Sequence, residues 1–267
     1  MGAIILDGKA CADSIEKKLI ETIQAEKLKP ILTIVTDSKD PASQVYIRNK
    51  IKAAERCGIK PQVLVVPDDK STRNLIVADG IIVQLPMADK ELEEEYLDYL
   101  AFAWEKDVDG LTPRNYGYMC AQKGYYLEPC TPKGILTLLD YYKIDISGKN
   151  VVIVGRSNLV GRPLAELMLQ RDATVTVCHS KTKNLNELLA TNEIIISAVG
   201  KPNTVDLNQC CIAKVVIDVG VNRDENGKLC GDCFNFDPNG LNIKVTPVPN
   251  GIGLMTRAIL MKHMSEV

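Results

Sequence analysis

The chain has 267 residues, 46% of them hydrophobic, and a formal net charge of −2 at pH 7. That apolar content can bury a substantial core in one large domain or two modest ones, and two is the expectation. Near-neutral charge without a long Lys or Arg run argues against nucleic acid or an anionic membrane as the main partner, and no stretch approaches the roughly 20 apolar residues of a membrane span.

The first residues, Met1 to Asp7, lack the charged and apolar regions of a secretory signal, so a cytoplasmic protein is expected. A helix is expected near residues 8 to 27, a strand at Ile31-Leu-Thr-Ile-Val35 and a second helix near 42 to 57. Strands at Gln62-Val-Leu-Val-Val66 and Gly80-Ile-Ile-Val-Gln84, then a helix near 89 to 103, complete a first α/β unit. Between Val66 and Gly80 there is room for only a brief helix in a parallel crossover, which needs about a dozen residues. The stretch rich in Gly, Pro and Tyr between Asp107 and Pro132 reads as an irregular connection.

From residue 150 on, short β-branched runs alternate with helical stretches: Val151-Val-Ile-Val154, Thr174-Val-Thr-Val177, Glu193-Ile-Ile-Ile-Ser197 and Lys214-Val-Val-Ile-Asp218, with a fifth candidate at Asn242-Ile-Lys-Val-Thr246. Continuous apolar runs suit strands covered on both faces, hence a parallel sheet. A turn-rich passage, Pro247 to Gly253, leads into a helix from Leu254 to about Met264. The expected fold class is therefore α/β: two α/β domains, the second a doubly wound Rossmann-type parallel sheet, with an active-site cleft between them. Residues 1–130 with the terminal helix 251–267 form the expected catalytic domain, and 131–250 the dinucleotide domain. The nine cysteines are odd in number and scattered, which suits reduced thiols rather than a disulfide framework. Cys230 and Cys233 form one C-x-x-C pair without a second pair or nearby His, so no metal is expected and the pair reads as small strand residues, as do Cys210 and Cys211.

Directly after the Val151 run comes Gly155-Arg-Ser-Asn-Leu-Val-Gly161-Arg-Pro163 and a helical run. A tight turn and helix N-terminus at the end of a buried strand can hold a pyrophosphate. Ser157 stands where the usual second glycine would be, and a glycine turn serving strand-to-helix packing alone is the competing reading. The second strand ends Val177-Cys-His-Ser-Lys181 with no carboxylate for a ribose hydroxyl, and Arg156 lies in the turn, which favours NADP over NAD. Otherwise Arg156, Ser180 and Lys181 are ordinary solvated residues.

In Asp40-Pro-Ala-Ser-Gln-Val-Tyr46-Ile-Arg-Asn-Lys50, Pro41 suits a first helical turn, and Tyr46 and Lys50 share a face one turn apart. A lysine against an aromatic wall in a partly dry cleft is a candidate base near neutral pH. A surface helix with solvated lysines has the same pattern.

Those motifs, with Val83-Gln-Leu-Pro86, Lys106-Asp-Val-Asp-Gly110, Pro129-Cys-Thr-Pro-Lys-Gly134, Cys178-His-Ser-Lys-Thr182, Ala198-Val-Gly-Lys-Pro202, Ile217-Asp-Val-Gly-Val-Asn222 and Thr246-Pro-Val-Pro249, closely resemble the methylenetetrahydrofolate dehydrogenase/cyclohydrolase family, in family order across nearly the whole chain. The resemblance implies oxidation of 5,10-methylenetetrahydrofolate with NADP and hydrolysis of the methenyl product to 10-formyltetrahydrofolate, by a homodimer associating through the cofactor domain. It implies that Lys50 activates water, Tyr46 stacks on the folate ring, Gln84 sets the lysine's protonation and Asp109 holds the pterin. Leu85, Pro249 and Gly251 join Tyr46, Gln84 and Asp109 around the substrate. Thr131, Gly155, Arg156, Ser157, Ser180, Gly200 and Val221 surround the dinucleotide, and His179 is structural or peripheral to it. Read alone, Gln84 is a strand cap and Asp109 a turn residue.

The chain departs from the family pattern in three places. The family's closing Pro-Gly-Gly-Val-Gly-Pro-Met-Thr is here Pro249-Asn-Gly-Ile-Gly-Leu-Met-Thr256, where Asn250 tolerates positive φ and Leu254 loses a proline restraint. The segment after Val66 is short, and Thr36-Asp-Ser-Lys39 replaces a glycine turn. The alternatives are an enzyme with one of the two activities, a dehydrogenase of another small substrate, and a non-catalytic dinucleotide-binding module.

Overall fold

The computed structural model describes residues 2–37, 41–66, 75, 77–238 and 242–267, with backbone only at 41 and 42. Asp40, Ser38 and Lys39 of the motifs above, and nearly all of the expected crossover helix after Val66, lie outside the described residues. The chain divides into two compact units, 13–130 with 257–267 and 1–12 with 131–256.

The first of these is built on a parallel sheet with the Ile31–Thr36 strand in the middle, Lys60–Val65 on one side and Gly80–Val83 on the other. Leu32, Ile34 and Val35 are all fully buried, as a central strand covered on both faces requires. Leu19 and Ile23 of the Gly8–Glu26 helix, and Ile47, Ala53 and Ala54 of the Pro41–Arg56 helix, pack on one face together with Ile259, Leu260 and Met264. Leu100 of the Lys90–Phe102 helix joins Leu64, Ile81, Val83 and Met87 in a second cluster. The order of strands reverses at Ile31–Thr36, so its C-terminal end and that of Gly80–Val83 lie side by side where a doubly wound sheet opens to ligands. Gln84 is the next residue.

The stretch from 107 to 132 is not simply irregular. It contains the helix Pro113–Ala121 and the start of the helix Cys130–Tyr141. Pro113 opens its helix instead of breaking one, and Thr112 Oγ1 accepts from Asn115 N at 3.4 Å as the cap.

The second unit carries the expected doubly wound sheet, parallel throughout. Its order across the sheet is Ile4–Ile5, Lys244–Val245, Val215–Asp218, Ile194–Ser197, Asn150–Val154 and Thr174–Cys178. Val152, Val154, Ile195, Val216 and Val245 form its core. The edge strand Ile4–Ile5, paired with Lys244–Val245, was not expected: two residues carry no periodic signal. Cys230 and Cys233 do lie on short strands, whereas Cys210 follows the 3-10 turn Leu207–Gln209. Among the described residues no helix is long and apolar enough to cross a membrane.

Candidate active site

In the Pro41–Arg56 helix, Ile47, Ala53 and Ala54 turn to the core while Tyr46 and Lys50 share another face. The Lys50 side chain is only 14% exposed, and Nζ donates to Gln84 Oε1 at 3.0 Å. Asp109 Oδ2 lies 3.9 Å from the same nitrogen, the outer limit of an ion pair. Gln84 is buried at the end of its strand, and its Nε2 donates to Leu85 O at 3.1 Å. That bond fixes the amide orientation, so the oxygen is the end that faces Lys50. Tyr46, one helical turn before Lys50, is 46% exposed. Leu85 is half-buried and precedes Pro86 through a cis peptide.

The loop bearing Asp109 is anchored by residues to which the sequence reading gave no role of their own. Asp107 is fully buried and accepts from Gly110 N at 3.0 Å, Thr112 N at 2.7 Å and Asn115 Nδ2 at 2.9 Å. Burial pushes its carboxyl above the usual range while the bonds from Asn115 and Thr112 oppose that shift. Val108 O accepts from His263 Nδ1 at 2.9 Å and from the Cys130 thiol at 3.2 Å, and Cys130 N donates to Asp109 O at 3.2 Å. A carbonyl only accepts, so His263 carries its proton on Nδ1, and burial lowers the ring's proton affinity further. Burial first, and then the Asp109 charge, raises the Cys130 thiol well above its ordinary value, which keeps it protonated and able to donate. Gly110 has φ +70, and a Cβ there would press on the Leu127 and Glu128 backbone at 2.7 Å. Asp107 and Gly110 were legible as a turn motif, but His263 and Cys130 gave no local sign of contact with it.

In the other unit, Gly155 has φ +126, and a Cβ there would overlap Ala198 O. A Cβ at Gly161 would overlap Gly155 O, so the first turn of the Gly161–Leu169 helix rests directly on the glycine turn. Both glycines are therefore required by packing. Among the described residues no side chain caps that helix; Ser157 instead accepts from Val160 N at 3.2 Å through Oγ and from Arg162 N at 3.1 Å through its carbonyl. A helix start without a side-chain cap, beside exposed Arg156 and Ser157 and at the reversal of strand order beside Asn150–Val154, fits a dinucleotide's phosphates.

Gly200 has φ +71 with open space where a Cβ would stand, and Val221 and Ser180 are exposed. Thr131 Oγ1 lies 2.9 Å from Thr256 Oγ1, which itself donates to Ile252 O at 3.1 Å. His179 Nδ1 accepts from Lys181 N at 3.1 Å within its own turn. Pro249 is exposed, and Asn250 adopts φ +75, the conformation its side chain tolerates where the family pattern has glycine. Gly251 is buried, and a Cβ there would overlap Pro247 O.

A family model described as the catalytic domain of tetrahydrofolate dehydrogenase/cyclohydrolase matches residues 6–109, and the NAD(P)-binding domain of the same pair matches 129–267. The chain belongs to the tetrahydrofolate dehydrogenase/cyclohydrolase family. It is 44% identical to a bifunctional FolD protein of Methanoculleus marisnigri over 97% of this chain and 94% of that one. The FolD protein of Ligilactobacillus salivarius is 42% identical over 100% and 97%. Among solved structures, the FolD methylenetetrahydrofolate dehydrogenase/cyclohydrolase of Campylobacter jejuni superimposes with TM-score 0.87 at 36% identity, covering 99% of this chain and 98% of that one. The Trypanosoma brucei enzyme, solved with NADP and an inhibitor, gives 0.85 at 31% identity, covering 99% and 97%. The family's two domains thus account for the units that carry Lys50 and Gly155.

Proposed function

We infer that the chain oxidises 5,10-methylenetetrahydrofolate to the methenyl form with NADP and hydrolyses the product to 10-formyltetrahydrofolate. The observation that carries the reading is the Lys50 amine, largely shielded from solvent, held by Gln84 at 3.0 Å and flanked by Asp109 at 3.9 Å.

Tyr46 offers its open face to the pterin and aminobenzoate rings. Asp109 accepts hydrogen bonds from the pterin amino and ring N–H groups, which a carboxylate does better than a neutral acceptor. Leu85, Pro249 and Gly251 line the substrate. NADP, when bound, supplies the two-electron acceptor for the methylene carbon. Gly155, Ser157, Gly200, Thr131 and Val221 hold it, and Arg156 and Ser180 recognise the 2′-phosphate. The oxidation needs orientation more than an acid or base, because the adjacent folate nitrogen supplies the electron pair.

Hydration then begins with water oxygen bonding to the methenyl carbon as its proton passes to Lys50. The bond from that carbon to N5 then breaks, its electron pair going to N5. The hydroxyl of the adduct gives up its proton as the carbonyl forms and N5 gains one, so that the formyl group is left on N10 and the net proton released is the one Lys50 received. Gln84 Oε1 fixes the amine's direction, and a base so placed contributes on the order of 10² to 10⁴ in rate. A cytoplasmic homodimer through the dinucleotide unit belongs to the same reading; the Thr174–Cys178 strand, at one edge of its sheet with Val177 exposed, supplies a surface for it.

The test follows methenyl absorbance with methylenetetrahydrofolate and each dinucleotide in turn. Product formed faster with NADP, then lost by hydration, is expected. A chain that forms no methenyl product with either dinucleotide is not this enzyme.

A further inference from the structure

The dinucleotide unit holds a buried carboxylate that the roles above leave unused. Asp232 is fully buried and accepts five hydrogen bonds. Its Oδ2 takes Ser197 Oγ at 3.0 Å, Val199 N at 2.8 Å and Gly200 N at 3.2 Å. Its Oδ1 takes Lys201 N at 3.0 Å and Asn222 Nδ2 at 2.9 Å. All of these donors are neutral. Asp232 N in turn donates to Asp218 Oδ1 at 3.0 Å, and the Asp218 carboxylate also accepts from Gly220 N at 3.0 Å and Cys233 N at 2.9 Å.

Room for the pair is made by two glycines: a Cβ at Gly220 would overlap Asp232 Oδ1, and one at Gly231 would overlap Asp218 Oδ2. Burying a carboxylate among dipoles alone is costly unless its lone pairs are filled, and here they are. What the carboxylate organises is specific. Three successive amides, of Val199, Gly200 and Lys201, turn inward to one side chain, which fixes Gly200 at φ +71 and leaves its other side open. The same side chain fixes Asn222, next to exposed Val221.

We propose that Asp232 is a positioning residue for dinucleotide binding, the one carboxylate that holds the Val199–Lys201 turn and the Val221–Asn222 segment in their binding geometry. This rests on the reading of Gly200 and Val221 as dinucleotide contacts. An amide cannot replace the carboxylate, because Asp232→Asn aims an N–H₂ at two or more donors whichever way it is turned.

The experiment measures NADPH affinity by calorimetry on the full chain, alongside hydration of supplied methenyltetrahydrofolate without dinucleotide. Asp232→Asn is expected to weaken NADPH binding about tenfold or more while hydration stays within about twofold of wild type, since donors left facing an amide no longer hold the turn. Ser197→Ala, which removes one donor and leaves the carboxylate, is expected to weaken binding by about two- to fivefold under the same rule. If Asp232→Asn loses hydration as well, Ser197→Ala decides: weaker NADPH binding with hydration retained supports the proposal, and unchanged binding overturns it. NADPH affinity unaltered in a folded Asp232→Asn chain overturns it directly. A wild-type chain that binds no NADPH refutes the underlying reading, and the role of Asp232 with it.

Discussion

Replacing His263 with leucine removes the bond to Val108 that holds the Asp109 loop, together with longer contacts to Cys130 Sγ at 3.6 Å and Glu266 Oε2 at 4.0 Å. His263 Nδ1 donates to Val108 O at 2.9 Å, and without it that carbonyl keeps only the Cys130 thiol at 3.2 Å, a weak donor. Leucine preserves most of the volume, so the cost is chiefly an under-satisfied buried acceptor, about 1–3 kcal/mol. His263→Asn places an amide N–H near the lost Nδ1 and restores the bond at the expense of a small void. Burial is the main influence lowering the proton affinity of His263, and Lys262 acts in the same direction, while the Val108 bond, Glu266 and Asp109 oppose it. The unfolded chain therefore binds more protons at this residue than the folded chain just below its ordinary value of about 6.5. The associated stability is fully present above that pH and is lost as pH falls toward the lower folded value. Urea unfolding at pH 8 and pH 5.5 reads both effects. His263→Leu should be about 1–3 kcal/mol less stable at pH 8 and should lack the wild-type's histidine-dependent decline. The KM for the folate should rise in His263→Leu and recover in His263→Asn, because Val108 adjoins Asp109. A leucine variant within about 0.5 kcal/mol of wild type, with unchanged KM, refutes the assignment.

Gly155→Ala forces a Cβ onto Ala198 O at φ +126, and should cost more than about 1 kcal/mol and abolish measurable NADP binding by calorimetry. Arg156→Ala should raise the KM for NADP about tenfold while leaving that for NAD nearly unchanged, since only NADP carries the 2′-phosphate that the proposed function pairs with this guanidinium. Equal losses with both dinucleotides would place Arg156 at the shared pyrophosphate instead.

The central strands of the two larger sheets were legible because each is a short β-branched run whose two faces are covered, and Ile194–Ser197 and Val215–Asp218 are buried at every position. Tyr46 and Lys50 were legible as a helical pair, but their partner Gln84 lies 34 residues on, a contact that only strand order creates. The Pro113–Ala121 helix was obscured by Pro113 and Gly117, which locally read as punctuation. The Ile4–Ile5 strand and Leu6 after it belong beside residues more than 200 positions away, which no local pattern expresses. Asp232 illustrates the same limit differently. A buried acid and a surface acid are the same letter, and the only available sign was the glycine beside each of Asp218 and Asp232, in Asp218-Val-Gly220 and Gly231-Asp232.

Hydration of purified methenyltetrahydrofolate by Lys50→Met, with no dinucleotide present, tests the account most directly. The rate enhancement should fall by about 10² to 10⁴ while NADPH affinity is kept, because the proposed function assigns the water proton to the amine that Gln84 holds at 3.0 Å. Undiminished hydration by that variant would contradict it.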